Sequence, residues 1–391
     1  MKNNLTSDQK PKTELHLYKE FFIFIVLPVC AFFFVFHTFL KGTGEFESIQ
    51  SVIEKQRKDP KVFFSSLDPA KMNKYRLEVI KDSKPDWLFV WTSRARSFLN
   101  YLTTEKYSSY TMSSSVGSIF HYRPLLKEVF SVHKPKGVFL VLSEPMFVKE
   151  WFNQSVPYAM SSQYKDSLLQ ELEHTLYQWR QTAFYEYSDL KFFKENLLNR
   201  GNDNYIGFLS KVNNPLGASF NYYGLEKNRK GNFKNIFKGD SSKNLNEKYV
   251  AALTLVNEGS SYFPLPESGV YNNAVDELKQ MLELLNRKEI KTVVFLSLPA
   301  PFVHKKILED PIRSKFFNEL IDNLKKLAGK YPNFHFELDS MRYLRDEHYD
   351  NDGRHTNLLG GVEVTSQILK SNPKLSEYFR NLESLKYVVE K

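Results

Sequence analysis

Four stretches of the chain are apolar almost without interruption and end in polar residues: "DWLFVW" (86–91), "GVFLVLSEP" (137–145), "TVVFLSLPAP" (292–301) and "FHFELDS" (334–340). Runs of this length, rich in β-branched and aromatic residues, suit strands buried on both faces of a parallel sheet. Beside them the apolar spacing lengthens to that of helices. Leu168, Leu172, Leu176 and Trp179 form one stripe, Val275, Leu278, Leu282 and Leu285 a second, and Phe317, Leu320, Leu324 and Leu327 a third. Each is expected to face a core. Strands alternating with amphipathic helices predict an α/β fold with a parallel sheet.

The pattern fails in three places. Residues 41–83 read as a polar, partly helical stalk. Between about 150 and 270 the alternation gives way to an insertion, and within it 200–250 is rich in Asn, Lys and Gly with little periodicity. Long loops of that kind are able to cover a site. Residues 376–391 read as a C-terminal tail, which leaves 84–375 as the α/β domain.

Residues 21–40, "FFIFIVLPVCAFFFVFHTFL", carry no formal charge and are long enough to cross a hydrocarbon core of about 30 Å as a helix. Pro28 is tolerable there. The run exceeds the apolar core of a signal peptide and no small-x-small cleavage site follows it. Val29 is too large to precede a lipidated Cys30. The segment is therefore expected to be an uncleaved transmembrane helix. Lys10, Lys12 and Lys19 lie before the span, whereas Lys41 is followed by Glu45 and Glu47. That asymmetry puts residues 1–20 in the cytoplasm and the main domain outside.

Composition narrows the chemistry. The single Cys lies inside the apolar run, so the remainder holds no disulfide, thiol nucleophile or Cys-based metal site. The net charge of +9 is spread along the chain rather than clustered. It reads as a solvated Lys-rich surface facing anionic glycans or lipid headgroups, and nucleic acid is not expected as a partner.

In an open parallel sheet the functional crevice lies at the carboxyl ends of the strands. The strand exits read "WTSRARSF", "LSEPMF" and "SLPAPF", and the last strand leads to "YDNDGRHTNLLGG" (349–361). A Ser hydroxyl needs a base within hydrogen-bond reach, and a His base needs a carboxylate to fix its tautomer. Asp352 and His355 are spaced to share one turn. Ser93 supplies a nucleophile whose own N–H is able to serve as an oxyanion donor. Each residue also has a plainer reading: Ser93 as a helix cap, Asp352 and Gly353 as turn residues, Asn357 as a cap. Arg94 and Arg96 suit either a substrate carboxylate or phosphate, or solvent. His348, Asp350, Asp352 and His355 lie close in sequence. They lack HExxH spacing, and the Glu of a calcium loop is replaced by Gly361. No metal and no cofactor is expected.

The nucleophile after the first strand and the late Asp-x-x-His resemble the SGNH (GDSL-type) hydrolase superfamily. The N-terminal anchor, "TSRARS", "DGRHTNLLGG" and the long insertion resemble its membrane-anchored envelope branch. That branch includes D-alanyl transfer proteins, alginate O-acetyltransferases and a bacterial family of unknown function. The resemblance implies a flavodoxin-like three-layer fold. It also implies a Ser93–His355–Asp352 triad acting as an esterase or acyltransferase, with Gly117 of "SSSVGS" lending a second oxyanion N–H. An envelope polysaccharide or lipid would be the acceptor and an integral membrane protein the acyl-transfer partner. It places the chain in a bacterial inner membrane with its main domain periplasmic. Two departures stand out: Trp91-Thr92 precede the nucleophile in place of Gly-Asp or Gly-Ser, and Ser143 or Glu144 stands where the family carries an Asn. Ser143, Arg94 and Asn357 are the expected substrate contacts. If the departures have cost the activity, the same fold is a non-catalytic, glycan-binding component of an envelope assembly.

Overall fold

The computed structural model describes residues 16, 18–91, 103–104, 106–113, 116–154, 157–182, 205–207, 219–220, 226–227, 244–259, 263, 265–266, 268–350 and 352–379. Ser93 and Arg94 lie outside them. The chain is a mixed α/β protein with a five-stranded parallel sheet. Its strands are β1 (Trp87–Trp91), β2 (Ser109–Ser113), β3 (Gly137–Ser143), β4 (Lys291–Ser297) and β5 (His335–Glu337), in the order β2-β1-β3-β4-β5. All four pairings are parallel. The order of strands reverses direction beside β1, and in open parallel sheets ligands bind at the carboxyl ends of the strands at such a switch point.

The helices used below are α1 (Leu27–Gly42), α2 (Ile49–Lys58), α3 (Pro69–Ser83), α4 (Ile119–Val132), α5 (Leu168–Thr182), α6 (Val250–Asn257), α7 (Asn272–Arg287), α8 (Pro301–Leu308), α9 (Pro311–Lys330) and α10 (Leu358–Ser371). Local sequence starts several of them. Asp68 and Asp310 each accept two backbone N–H groups at the heads of α3 and α9, with Pro at the first helical position of both.

The continuous apolar runs have a simple cause, since both faces of the sheet are covered. Leu88, Val90, Val138, Leu140, Val294 and Leu296 join one buried cluster with α2, α3, α4, α7 and α9. Trp87, Phe89, Phe139, Val141, Val293 and Phe295 join the other, with α6, α8 and α10. Strand β2 escapes a hydrophobicity reading because it is polar, "SYTMS", and lies at the sheet edge with one neighbour.

The second and third apolar stripes face the core as expected, with Leu278, Leu282, Leu285, Leu320, Leu324 and Leu327 buried. The first does not: on α5, Leu168 and Leu176 are exposed. Residues 49–83, read as stalk, lie on the α/β body, where Val52, Ile53, Tyr75, Val79 and Ile80 are buried in the first cluster. A small second sheet pairs Phe63–Phe64 with Tyr205–Ile206 and Ser219–Phe220, joining this region to the insertion. Residues 378 and 379, read as the start of the tail, place two buried aromatic rings against Trp87.

The N-terminal apolar segment is one helical run, Tyr18–Gly42, of 25 residues, long and apolar enough to cross a membrane. After one α-helical turn it passes through a π-helical turn, Phe22–Val26, one residue short of Pro28. Proline has no N–H and crowds the preceding turn, and a local π register re-satisfies the carbonyls this frees. Phe36, Phe39 and Leu40 at its far end are buried, while Phe21, Phe22, Phe24, Phe32 and Phe34 are exposed.

One ion pair locks two helices of the first layer. Arg123 on α4 donates from Nε and Nη2 to the two carboxylate oxygens of Glu277 on α7, at 2.6 and 2.8 Å, and Glu277 is buried. Arg123→Ala leaves that carboxylate without its fork, at an expected cost of about 2–3 kcal/mol. Adding Glu277→Gln should recover part of the loss in thermal unfolding. Full additivity of the two substitutions would contradict the pairing.

Candidate active site

The segment between β5 and α10 is fixed by its backbone before any side chain acts. Tyr349 bridges Thr356 antiparallel. The Asp350 N–H donates to His355 O at 2.9 Å, and the Gly353 N–H to Asp350 O at 3.0 Å. Gly353 sits at φ +64°, and a Cβ there would lie 2.8 Å from Val303 Cγ2 and 3.1 Å from Tyr249 Cδ1. Only glycine combines that conformation with so close an approach. The Gly353 carbonyl accepts from Ala300 N at 2.8 Å, three residues beyond the end of β4. The loop is thereby held at the carboxyl edge of the sheet. The insertion supports it from outside: Tyr249 Oη and Lys248 Nζ both donate to Asp346 O, at 2.8 Å each.

Within this loop Asp352 turns back on its successors. Its Oδ1 accepts from the N–H groups of Arg354 (2.9 Å) and His355 (3.0 Å), while Oδ2 accepts from His355 Nδ1. Burial alone would raise the Asp352 carboxyl. The hydrogen bond and charge of His355 and the two backbone N–H groups overcome this and hold it well below the usual carboxylate range. With Nδ1–H directed at the carboxylate, the lone pair of a neutral His355 ring lies on Nε2. That nitrogen is buried and has no hydrogen-bond partner among the described residues. A buried acceptor without a donor costs about 1–3 kcal/mol.

Asp352 yields a pH prediction. Its folded pKa is depressed, so its contribution to stability is complete above the unfolded value of about 4 and disappears as pH falls through the folded value. The thermal midpoint of Asp352→Asn should fall less steeply below about pH 4 than that of the parent chain. Identical slopes would mean that Asp352 carries no depressed pKa.

The other expected site residues are distributed as follows. Ser143 is buried at the end of β3, in register with Ser297 of β4. Asn357 caps α10, accepting from Gly360 N at 3.0 Å, while its amide donates to Glu347 O at 2.7 Å. Gly117 lies exposed before α4. Its N–H donates to His121 Nδ1 at 3.0 Å and its carbonyl accepts from Trp151 Nε1 at 2.9 Å. In this arrangement the Gly117 hydrogen is already engaged. Among the described residues, Asp352 and His355 are the pair that the fold brings into contact. His348 of the suspected metal cluster accepts from Arg345 N through Nδ1, at 3.1 Å, and no group of three His, Cys, Asp or Glu suited to a metal occurs among the described residues.

Next to the loop is a half-open pocket that the sequence did not reveal, its space of about 410 Å³ including open solvent. Pro145, Val148, Phe263, Ile307, Phe316 and Phe317 give it an apolar wall, into which Glu144, His304 and Arg313 are set. Phe263 links pocket to loop, since the Arg354 guanidinium lies 6.0 Å above its ring. His304 packs edge-on to Phe317, and burial lowers its pKa against the opposing pull of Glu144 and Asp339. Arg313 Nη2 donates to Val256 O and Phe263 O, at 2.8 and 3.0 Å, closing the end of α6. Only Glu144, at a strand exit, carried a signal in sequence. His304 and Arg313 sit on helices whose pattern reads as ordinary packing.

No family model matches the chain, and no curated protein is significantly similar to it.

Proposed function

We propose that this chain is a membrane-anchored serine esterase or O-acyltransferase of the SGNH kind, using Ser93, His355 and Asp352. The observation that carries the reading is the Asp352–His355 pair, with His355 Nε2 buried and without a hydrogen-bond partner among the described residues, at the carboxyl edge of a parallel sheet. The strand order supports it, being the flavodoxin-like 2-1-3-4-5, whose crevice opens beside the strand that Ser93 follows by two residues.

In the proposed reaction His355 Nε2 takes the proton of the Ser93 hydroxyl as Oγ adds to an ester or thioester carbonyl. The Asp352 carboxylate stabilises the imidazolium through Nδ1. The oxyanion collapses to an acyl-Ser93, and the leaving alcohol or thiol departs with the proton returned by His355. Water, or a hydroxyl of an envelope polysaccharide or lipid, then attacks the acyl-enzyme through the same base. The Ser93 N–H is the first oxyanion donor, and Gly117 joins it if the His121 ring turns away. The apolar pocket suits the carbon chain of an acyl group. The anchor holds the body on the outer side of a bacterial inner membrane, near such polymers and near an integral membrane partner that would deliver the acyl group.

A second reading is favoured by two features: the Gly117 N–H is occupied by His121, and Ser143 or Glu144 stands where the resembled superfamily carries an Asn. A non-catalytic component of an envelope assembly would carry both without penalty. The two readings separate on the full-length chain in detergent, challenged with p-nitrophenyl acetate beside Ser93→Ala and His355→Ala. Turnover lost in both variants supports the enzyme. A folded chain whose trace turnover is equal in all three proteins removes it.

A further inference from the structure

Helix α5 presents leucines to the outside. Leu168 and Leu169 are 67% and 68% exposed, and Leu176 is 38% exposed. At 3.6 residues per turn these three and Leu172 fall within an arc of about 100°. The burial adjoins this arc, at Thr175 and Gln178, about 20° and 80° beyond Leu168 on the same helix. A soluble surface does not favour such an arc, and its position explains it.

Thr175 lies on the anchor. Its Oγ1 donates to Glu171 O at 2.7 Å, which spends its only hydrogen, so at 2.9 Å it accepts from His37 Nδ1. The next residue packs there too, since the His174 ring meets Phe46 edge-on at 6.0 Å. His37 stands about 24 Å along the helix from Phe21, the first residue of the uncharged span, at a rise of about 1.5 Å per residue. That is about 6 Å short of the far boundary of a hydrocarbon core of about 30 Å, the depth at which an interfacial helix lies. Phe34 and Val35, in the anchor turn before His37, are exposed and apolar as well.

We infer that α5 lies in the membrane interface as an in-plane helix, its leucine arc sunk among the acyl chains of the bilayer that the anchor crosses. This rests on the proposed anchoring. The body is then fixed to the membrane at two points, and its orientation relative to the bilayer is set. The contact is with acyl chains rather than anionic headgroups, because Asp166, Glu171 and Glu173 flank the arc.

The test uses the full chain with Cys30→Ser, reconstituted into phosphatidylcholine vesicles, with a nitroxide on Leu169→Cys, Glu173→Cys or Phe24→Cys. Collision with oxygen, which concentrates in lipid, is compared with collision with a water-soluble nickel chelate. Position 169 should match position 24 in favouring oxygen, and position 173 should favour nickel. Adding phosphatidylglycerol should change neither. Position 24 in lipid with 169 in water overturns the in-plane helix alone, whereas 24 in water overturns the anchor and the helix with it. Spin–spin broadening at 169 that vanishes on dilution with unlabelled chain would assign the arc to a second copy and also overturn the proposal.

Discussion

His355→Ala is expected to lower ester turnover by about 10⁴-fold or more, and Ser93→Ala by a similar factor. The reason is the division of labour across the imidazole. Nδ1 is committed to Asp352, so Nε2 is the only nitrogen able to take a proton, and it is buried with no hydrogen-bond partner among the described residues. Residues that act as one unit lose their effect together, so the double variant should be little worse than either single one. Asp352→Asn should cost about 10⁴-fold as well, because an amide there favours the wrong tautomer. Initial rates with p-nitrophenyl acetate measure all four, with thermal midpoints to confirm folding. Additive losses in the double variant would mean that Ser93 and His355 do not work on one proton.

Trp87→Ala should be the most destabilising of the substitutions considered, by about 3–5 kcal/mol. Trp87 is fully buried at the start of β1, with the rings of Tyr378 and Phe379 at 5.4 and 4.8 Å. On its other side Gly137 has no side chain for a reason: a Cβ would stand 2.5 Å from the indole. Truncation thus opens a void between β1, β3 and the residues after α10. The indole N–H has no hydrogen-bond partner among the described residues, so Trp87→Phe removes no bond and should cost much less. Chemical denaturation followed by circular dichroism distinguishes the two. Equal losses would show that the indole N–H, and not its volume, is what the site requires.

The legible parts of the fold were those where one physical signal acted alone. β1, β3 and β4 announced themselves because, inside the sheet, burial on both faces leaves few polar positions in a strand. The two edge strands have one neighbour each and tolerate polar residues; β5 was legible from the aromatic residues around it, and β2, "SYTMS", was not. The stripe on α5 was legible as amphipathic but pointed to the wrong partner. Periodicity shows that a face is apolar and is silent on what covers it. Residues 49–83 looked polar because much of their surface is, yet single positions such as Tyr75 and Val79 are wholly buried. At the site, Asp352 and His355 could be paired from their spacing, since one turn closes over three residues. The pocket could not. Its His304 and Arg313 come from α8 and α9, and only the packing of those helices against the end of β3 brings them near Glu144. Ser93 and Arg94 lie outside the described residues, and Ser93 follows the end of β1 by two residues.

The most direct test of the triad is to treat the full-length chain with a fluorophosphonate and map the adduct by peptide mass spectrometry, alongside His355→Ala. The account predicts a single phosphonylated serine, Ser93, and no labelling in the variant. A folded chain labelled elsewhere, or labelled equally without His355, would contradict it.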